Sequence, residues 1–228
     1  MKISIIIRIL TCFFSFLFLL TTNTSTAQTF RAGITLGTTS TDIDHMDSRD
    51  YDNDFNKLGY VVGGILNFDI DKKNLFQMEL NYIKKGTLQK PDSMNMNSYK
   101  LALDYLEVPL LVRHRIHFQI RQIAIDKFDL EMGASIGRMI RYHWMVDGQN
   151  SPMDPNSFNK TDVSLLLGVN YNFSSNGSLS FRYTNSVIPA IKHDAYPGYI
   201  FFNTFNTGNN LVFQMSLKLM FGGNKEKE

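Results

Sequence analysis

Eight alternating apolar and polar segments run through this chain, and the connections between them alternate in length. Read by period two, the segments fall at 30–38, 58–69, 74–86, 99–117, 127–142, 161–173, 178–187 and 209–221. The connections then have 19, 4, 12, 9, 18, 4 and 21 residues, so every long one is odd-numbered. In an up-and-down sheet the odd connections all lie at one end. Outer-membrane barrels show this asymmetry, because their periplasmic turns are tight hairpins while their outward loops are free to grow. The expected architecture is all-β, an eight-stranded antiparallel up-and-down transmembrane β-barrel over 28–221 with four long outer loops.

The ends of the chain bear on location. Residues 1–27 read as a signal peptide: Lys2 and Arg8 supply the positive start, Ile9 to Leu20 the apolar stretch, and Ser25-Thr26-Ala27 a small-residue cleavage site. That stretch is shorter than the ~20 residues a spanning helix needs. Cys12 lies inside it, so the exported chain is expected to hold no cysteine and to rely on the fold alone. Residues 222–228 form a charged C-terminal tail. The whole chain has 23 Lys and Arg against 21 Asp and Glu. Removal of Lys2 and Arg8 leaves 21 of each sign, which offers no basic stripe for nucleic acid. The mean hydropathy of −0.16 fits a barrel in which only alternate residues meet lipid.

Period two is clearest in the last segment, where Leu211, Phe213, Met215, Leu217, Leu219 and Phe221 oppose Val212, Gln214, Ser216, Lys218 and Met220. Alternation leaves the facing open, since a soluble lipocalin-like barrel would turn the apolar set inward. Three features favour lipid outside: the loop asymmetry, segments that mostly reach the 9–11 residues of a tilted span, and aromatic residues at segment ends. Tyr60, Phe68, Tyr82, Tyr142, Trp144, Tyr171, Phe173, Tyr183 and Phe221 are the candidates for interfacial girdles. Integral insertion in the outer membrane of a Gram-negative bacterium follows, with outer-membrane lipid as the surrounding partner.

Facing inward, the polar set brings Glu79, Glu107, Asp129 and Glu131 together with Arg31, Arg113, Arg115, Arg182 and Lys218. Eight strands enclose only enough space for side chains, so a structural ion-pair network filling the lumen is expected. Gly59, Gly63, Gly133 and Gly137 would make room for the longer side chains. The alternative is passage of a small solute or ion along the same charges.

Binding or chemistry would fall to the loops. The first carries Asp42, Asp44, Asp47, Asp50, Asp52 and Asp54. Their spacing imitates a calcium loop, but Phe55 replaces the turn glycine and Val61 the terminal glutamate, so no metal site is assigned. The fourth carries Tyr196, Tyr199, Phe201, Phe202 and Phe205, residues suited to contacts or to folding over the mouth. His45 and His193 stand beside Asp44 and Asp194 without a defined strand spacing, a thin basis for a lipid-modifying enzyme. No catalytic residue and no cofactor is assigned; a phosphate loop and a nucleophile elbow are both lacking.

Asp104-Tyr105-Leu106-Glu107-Val108-Pro109-Leu110-Leu111-Val112 resembles the central strand of the PorT-like outer-membrane β-barrel family. The likeness extends to Phe30-Arg31-Ala32-Gly33-Ile34 before it and Gly133-Ala134-Ser135-Ile136-Gly137 after it. Pro109 lacks an amide proton, so it interrupts the ladder and is a candidate bulge, while Glu107 can reach lumen arginines. The resemblance implies a non-enzymatic barrel with a structural or interaction role, accessory to protein secretion, with envelope or secretion-system proteins as partners.

Overall fold

The computed structural model describes residues 30–43, 55–91, 98–116, 118–120, 123–125, 127–151, 154–192 and 208–221. Eight long strands dominate: β1 (Phe30–Ile43), β2 (Lys57–Asp69), β3 (Asn74–Gln89), β4 (Tyr99–Arg115), β5 (Phe128–Val146), β6 (Thr161–Asn172), β7 (Gly177–Ser186) and β8 (Asn210–Phe221). Each pairs antiparallel with its sequence neighbour, and β1 pairs with β8 over Ala32–Phe221 to Ile43–Asn210, which closes the ring. Following the register from Gly33 through Ile65, Glu79, Pro109, Ser135, Ser164, Ser186 and Asn210 returns to β1 at Ile43, ten residues further along. That stagger tilts the strands and leaves a lumen wide enough only for side chains.

The two faces are inverted relative to a water-soluble barrel. Leu36, Leu58, Leu80, Met132, Ile136, Leu165, Leu167 and Phe181 stand exposed on the outside, while Lys85, Lys218, Gln77, Glu79 and Glu131 are fully buried within. A continuous apolar exterior of this extent is untenable in water and is the surface lipid requires. The lipocalin-like alternative has the opposite facing and is thereby excluded. At the end with the tight turns, Phe30, Phe68 and Phe76 stack in sequence at 5.1 and 6.2 Å, and Phe128 meets Tyr171 at 5.2 Å. Towards the opposite end, Tyr60 meets Tyr82 at 5.9 Å and Tyr183 meets Phe213 at 5.0 Å.

Several boundaries differ from those read by alternation, for identifiable reasons. β1 continues five residues past Thr38, through Thr39-Ser40-Thr41-Asp42-Ile43. The run is polar and reads as loop, yet its inward hydroxyls are used: Thr39 Oγ1 donates to the Lys84 carbonyl at 3.1 Å and Thr41 Oγ1 to that of Gly86 at 2.8 Å. Asp42 is therefore a strand residue, and it accepts from Thr87 Oγ1 at 2.7 Å, beyond the end of the intervening β2. β5 runs to Val146 and folds back on Gln149–Asn150 through Asp147-Gly148, both at positive φ, a two-residue hairpin. The inner connection after β4 holds a small hairpin, Phe118–Ile120 against Ile123–Ile125.

Pro109 is not a bulge. The register on either side of it, Met78 with Leu110 and Asn81 with Glu107, is continuous, so the missing amide costs the ladder locally without shifting it. The irregularity lies between Asp104 and Tyr105, where β5 has an extra residue: Tyr105 faces Met139 and Asp104 faces Arg141. Beyond it the parity of β5 inverts. Tyr142 and Trp144 consequently turn inward and pack on the interior cluster instead of joining a girdle.

Gly86 has φ +124°, and a Cβ there would lie 2.1 Å from the Leu101 carbonyl oxygen. Gly86→Ala is expected to destabilise the barrel by about 1–3 kcal/mol, read from urea titrations in lipid vesicles. In the β2–β3 turn the Asp71 carboxylate accepts from the Asn74 side chain at 2.8 Å and from the Lys73 and Asn74 amides at 2.7 and 2.8 Å. These bonds, the Asn74 side chain first, hold its pKa below the ordinary aspartate value. Their contribution is present above that ordinary value and fades as pH falls through the lowered one. A carboxyl-carbon NMR titration should place the Asp71 midpoint below those of exposed aspartates, and Asn74→Ala should raise it.

Candidate functional site

The interior is organised in layers along the barrel axis, each drawn from strands far apart in sequence. In the middle layer Arg182 on β7 reaches across the lumen to Glu79 on β3, donating from Nη2 to Oε1 at 2.7 Å and from Nη1 to Oε2 at 3.0 Å. Its Nε donates to Glu131 Oε1 on β5 at 2.8 Å. Lys218 on β8 donates to the other Glu131 oxygen at 2.9 Å and lies 3.6 Å from Glu79. Two carboxylates and two cations thus form one ring of alternating sign, all essentially inaccessible. Polar neighbours complete it: Gln77 and Asn81 donate to Glu79, and Asn170 and Ser180 to Glu131. Buried charges at this density are sustainable only when paired and hydrogen-bonded to this degree.

Gly168 sits in this layer, and a Cβ on it would approach Glu131 Oε1 to 2.8 Å; at Gly137 a Cβ would lie 2.8 Å from Glu107 Cγ. The glutamates occupy the space that these glycines vacate.

Further out, Lys85 pairs with both Glu107 and Asp162, the latter at 3.4 Å, and its ammonium lies 5.2 Å from the Tyr105 ring centre. Asn210 Nδ2 donates to Asp162 at 2.6 Å, and Ser164 donates to the same carboxylate. Above this the lumen becomes apolar. Ile43, Val61, Ile83, Leu101, Leu103, Met139 and Val212 pack with Phe158, Ala190 and the inverted Tyr142. Phe158 comes from the third outer connection and pairs as a bridge with Ile191 of the fourth. Asn159 donates its amide to the Ala190 carbonyl, and Lys192 donates to that of Ser157, at 2.9 and 2.8 Å. Two outer connections are stitched together over the mouth and hold Phe158 in it.

At the periplasmic end Arg113 donates to Asp129 at 2.6 Å, to Gln77 at 3.0 Å and to Asn172 at 3.2 Å. Arg115 and Arg31 stand apart from the closed network. The Arg115 side chain is 45% exposed and 3.9 Å from Asp129, and Arg31 meets Asp69 at 3.4 Å on the rim. Below Arg113 a cavity of about 320 Å³ opens at this mouth.

Of the residues singled out by sequence, Glu79, Glu107, Arg113, Asp129, Glu131, Arg182 and Lys218 are brought together in the lumen, while Arg31 and Arg115 are rim residues. Lys85 and Asp162 belong to the network and were missed; Lys85 shares the parity of Gln77 and Glu79, which could have placed it. The apolar cork was missed entirely. Asp44, Asp47, Asp50, Asp52, Asp54, Tyr196, Tyr199, Phe201, Phe202 and Phe205 lie outside the described residues, as do His45 and His193. Among the described residues no group of three or more His, Cys, Asp or Glu is arranged to hold a metal ion.

Arg182→Met leaves Glu79 and Glu131 sharing Lys218 alone and is expected to cost about 3–5 kcal/mol in vesicle unfolding titrations. Adding Glu79→Gln should recover part of that loss, because it removes one of the two stranded charges.

Comparison of the structure with solved proteins finds outer-membrane barrels. The attachment invasion locus protein Ail of Yersinia pestis aligns over 84% of this chain and 98% of its own, with 14% identity and a TM-score of 0.47. Neisserial surface protein A aligns over 84% and 97%, with 15% identity and a TM-score of 0.42. CarO of Acinetobacter baumannii aligns over 87% and 100%, with 10% identity and a TM-score of 0.44. No curated protein sequence matches. The model of the outer membrane protein beta-barrel domain matches residues 26–192. With its closed eight-stranded ring, apolar exterior and charged interior, the chain belongs to the outer membrane protein beta-barrel domain family and is an integral outer-membrane protein.

Proposed function

We propose that this barrel is a non-enzymatic scaffold that works through surfaces outside the membrane, as an accessory to protein secretion across the outer membrane. The observation carrying the reading is that the lumen is filled twice over, by the Glu79–Arg182–Glu131–Lys218 ring and by the apolar cluster under Phe158. A lumen so occupied offers no route for a solute, so contacts fall to the outer connections and the periplasmic mouth. The secretion role rests on the PorT-like segment at 104–112. The acidic first connection, with Asp44, Asp47, Asp50, Asp52 and Asp54, and the aromatic fourth, with Tyr196, Tyr199, Phe201, Phe202 and Phe205, are the proposed contact surfaces. The two differ enough in chemistry to serve different partners.

Replacing both connections with short Gly-Ser linkers in the native strain is expected to lower export of secreted proteins while the barrel still shifts on heating in detergent gels. Unchanged export with an intact barrel would count against the secretion role. In planar bilayers the wild-type protein should give no steady current, whereas a steady conductance would favour solute passage instead.

A further inference from the structure

The cavity at the periplasmic mouth is built differently from the rest of the interior. In the middle of the lumen Glu79 and Glu131 are balanced by Arg182 and Lys218. Here Arg31, Arg113, Arg115 and Lys127 line an open volume of about 320 Å³, with Asp129 as the one carboxylate among the described lining residues. The Asp129 charge is already engaged by the buried Arg113 at 2.6 Å, and Arg31 is held by Asp69 from outside the lining. Arg115 keeps only a distant 3.9 Å approach to Asp129, and Lys127 makes no ion pair among the described residues. The described lining residues therefore carry excess positive charge, with Arg115 and Lys127 exposed at the rim and Arg113 buried behind them.

A second observation concerns hydrogen bonds. Among the described residues, Arg31 Nε and Arg113 Nε are buried donors with no acceptor, and Asn67 Oδ1 and Asp129 Oδ1 are buried acceptors with no donor. All four residues line this cavity, together with the polar 174–178 turn. Seven further orphaned atoms among the described residues, at Thr35, Asn81, Glu107, Ser135, Asn185, Asn209 and Asn210, lie away from this cavity, but these four border an open volume that a ligand can enter. A carboxylate supplies acceptors only. A phosphate group carrying one proton supplies several acceptors and one donor, the mixture that these walls lack. Arginine forks also match phosphate oxygens in pairs.

We propose that the periplasmic mouth is a phosphate-binding site, in which Arg115 and Lys127 capture the anion and Arg31 and Arg113 set the charge behind it. The phosphate is that of a free anion carrying one proton or, because the site lies at the level of the Phe30–Phe68–Phe76 girdle, that of a phosphatidylglycerol headgroup in the inner leaflet, whose phosphodiester supplies only acceptors and whose glycerol hydroxyls supply the donors. The site is independent of the secretion role, so either reading can fail without the other.

The test uses the full barrel in neutral detergent and the double variant Arg115→Gln, Lys127→Gln, both on the exposed rim; retained heat shift reports folding. Calorimetric titration with inorganic phosphate at constant ionic strength, together with native mass spectrometry after exposure to phosphatidylglycerol or phosphatidylcholine, separates the two sources. Saturable phosphate binding weakened about tenfold or more in the variant would establish a free-anion site. Retention of phosphatidylglycerol over phosphatidylcholine, lost in the variant while inorganic phosphate gives no heat, would establish a lipid headgroup site. Absence of both signals, or binding that the variant leaves unchanged, would overturn the proposal.

Discussion

Backbone amides in hydrocarbon have no water to bond, and this one constraint sets everything else in the molecule. It obliges β1 to pair with β8, because an open edge would leave a row of unsatisfied groups facing lipid. Once the ring is closed, period two divides every strand into a face that meets lipid and a face that meets the other strands across a narrow lumen. Polar residues, expelled from the outer face, are crowded inside. The ring of Glu79, Arg182, Glu131 and Lys218 follows from that crowding: charges with nowhere else to go become tolerable only by pairing with each other.

The same division shows why the mouth is sealed by different chemistry from the middle. β4 and β5 extend well beyond the length needed to span the membrane. Their outer turns can bring apolar residues inward because the exterior there no longer has to satisfy lipid. The extra residue opposite Asp104 and Tyr105 does this for Tyr142 and Trp144, and the stitched connections carry Phe158 into the centre. A polar middle and a greasy cap are two answers to one geometric problem, filling a tube too narrow for water to be useful.

The eight strands, their order and their facing were legible because period two survives wherever one face must meet lipid. Boundaries were less legible, and the errors share a cause. Thr39 and Thr41 look like loop residues, but a polar inward side chain is normal inside this fold and carries no boundary information. The charged residues near the middle of the strands, such as Glu79, Glu131 and Arg182, could be placed by parity. Arg31 and Arg115 share that parity yet lie at the rim, because parity tells facing and not depth. The cork was illegible: Phe158 owes its place to pairing between two connections, and Tyr142 to an inserted residue that inverts the pattern from which its facing was read.

The wiring of the central ring also bears on how the molecule comes into being. Arg182 bonds to Glu79 across 103 positions of chain and to Glu131 across 51, while Lys218 bonds to Glu131 across 87. None of these partners belongs to a single hairpin, so, unlike Arg113 and Asp129 on the adjacent β4 and β5, the ring charges cannot be neutralised by a local piece of the sheet. Contacts this distant in sequence form late and slowly. Until the ring closes, a partial sheet carries exposed carboxylates and guanidinium groups that hydrocarbon will not accept. Closing the ring and balancing its centre are therefore linked, because β8 both pairs with β1 and brings Lys218 to Glu131.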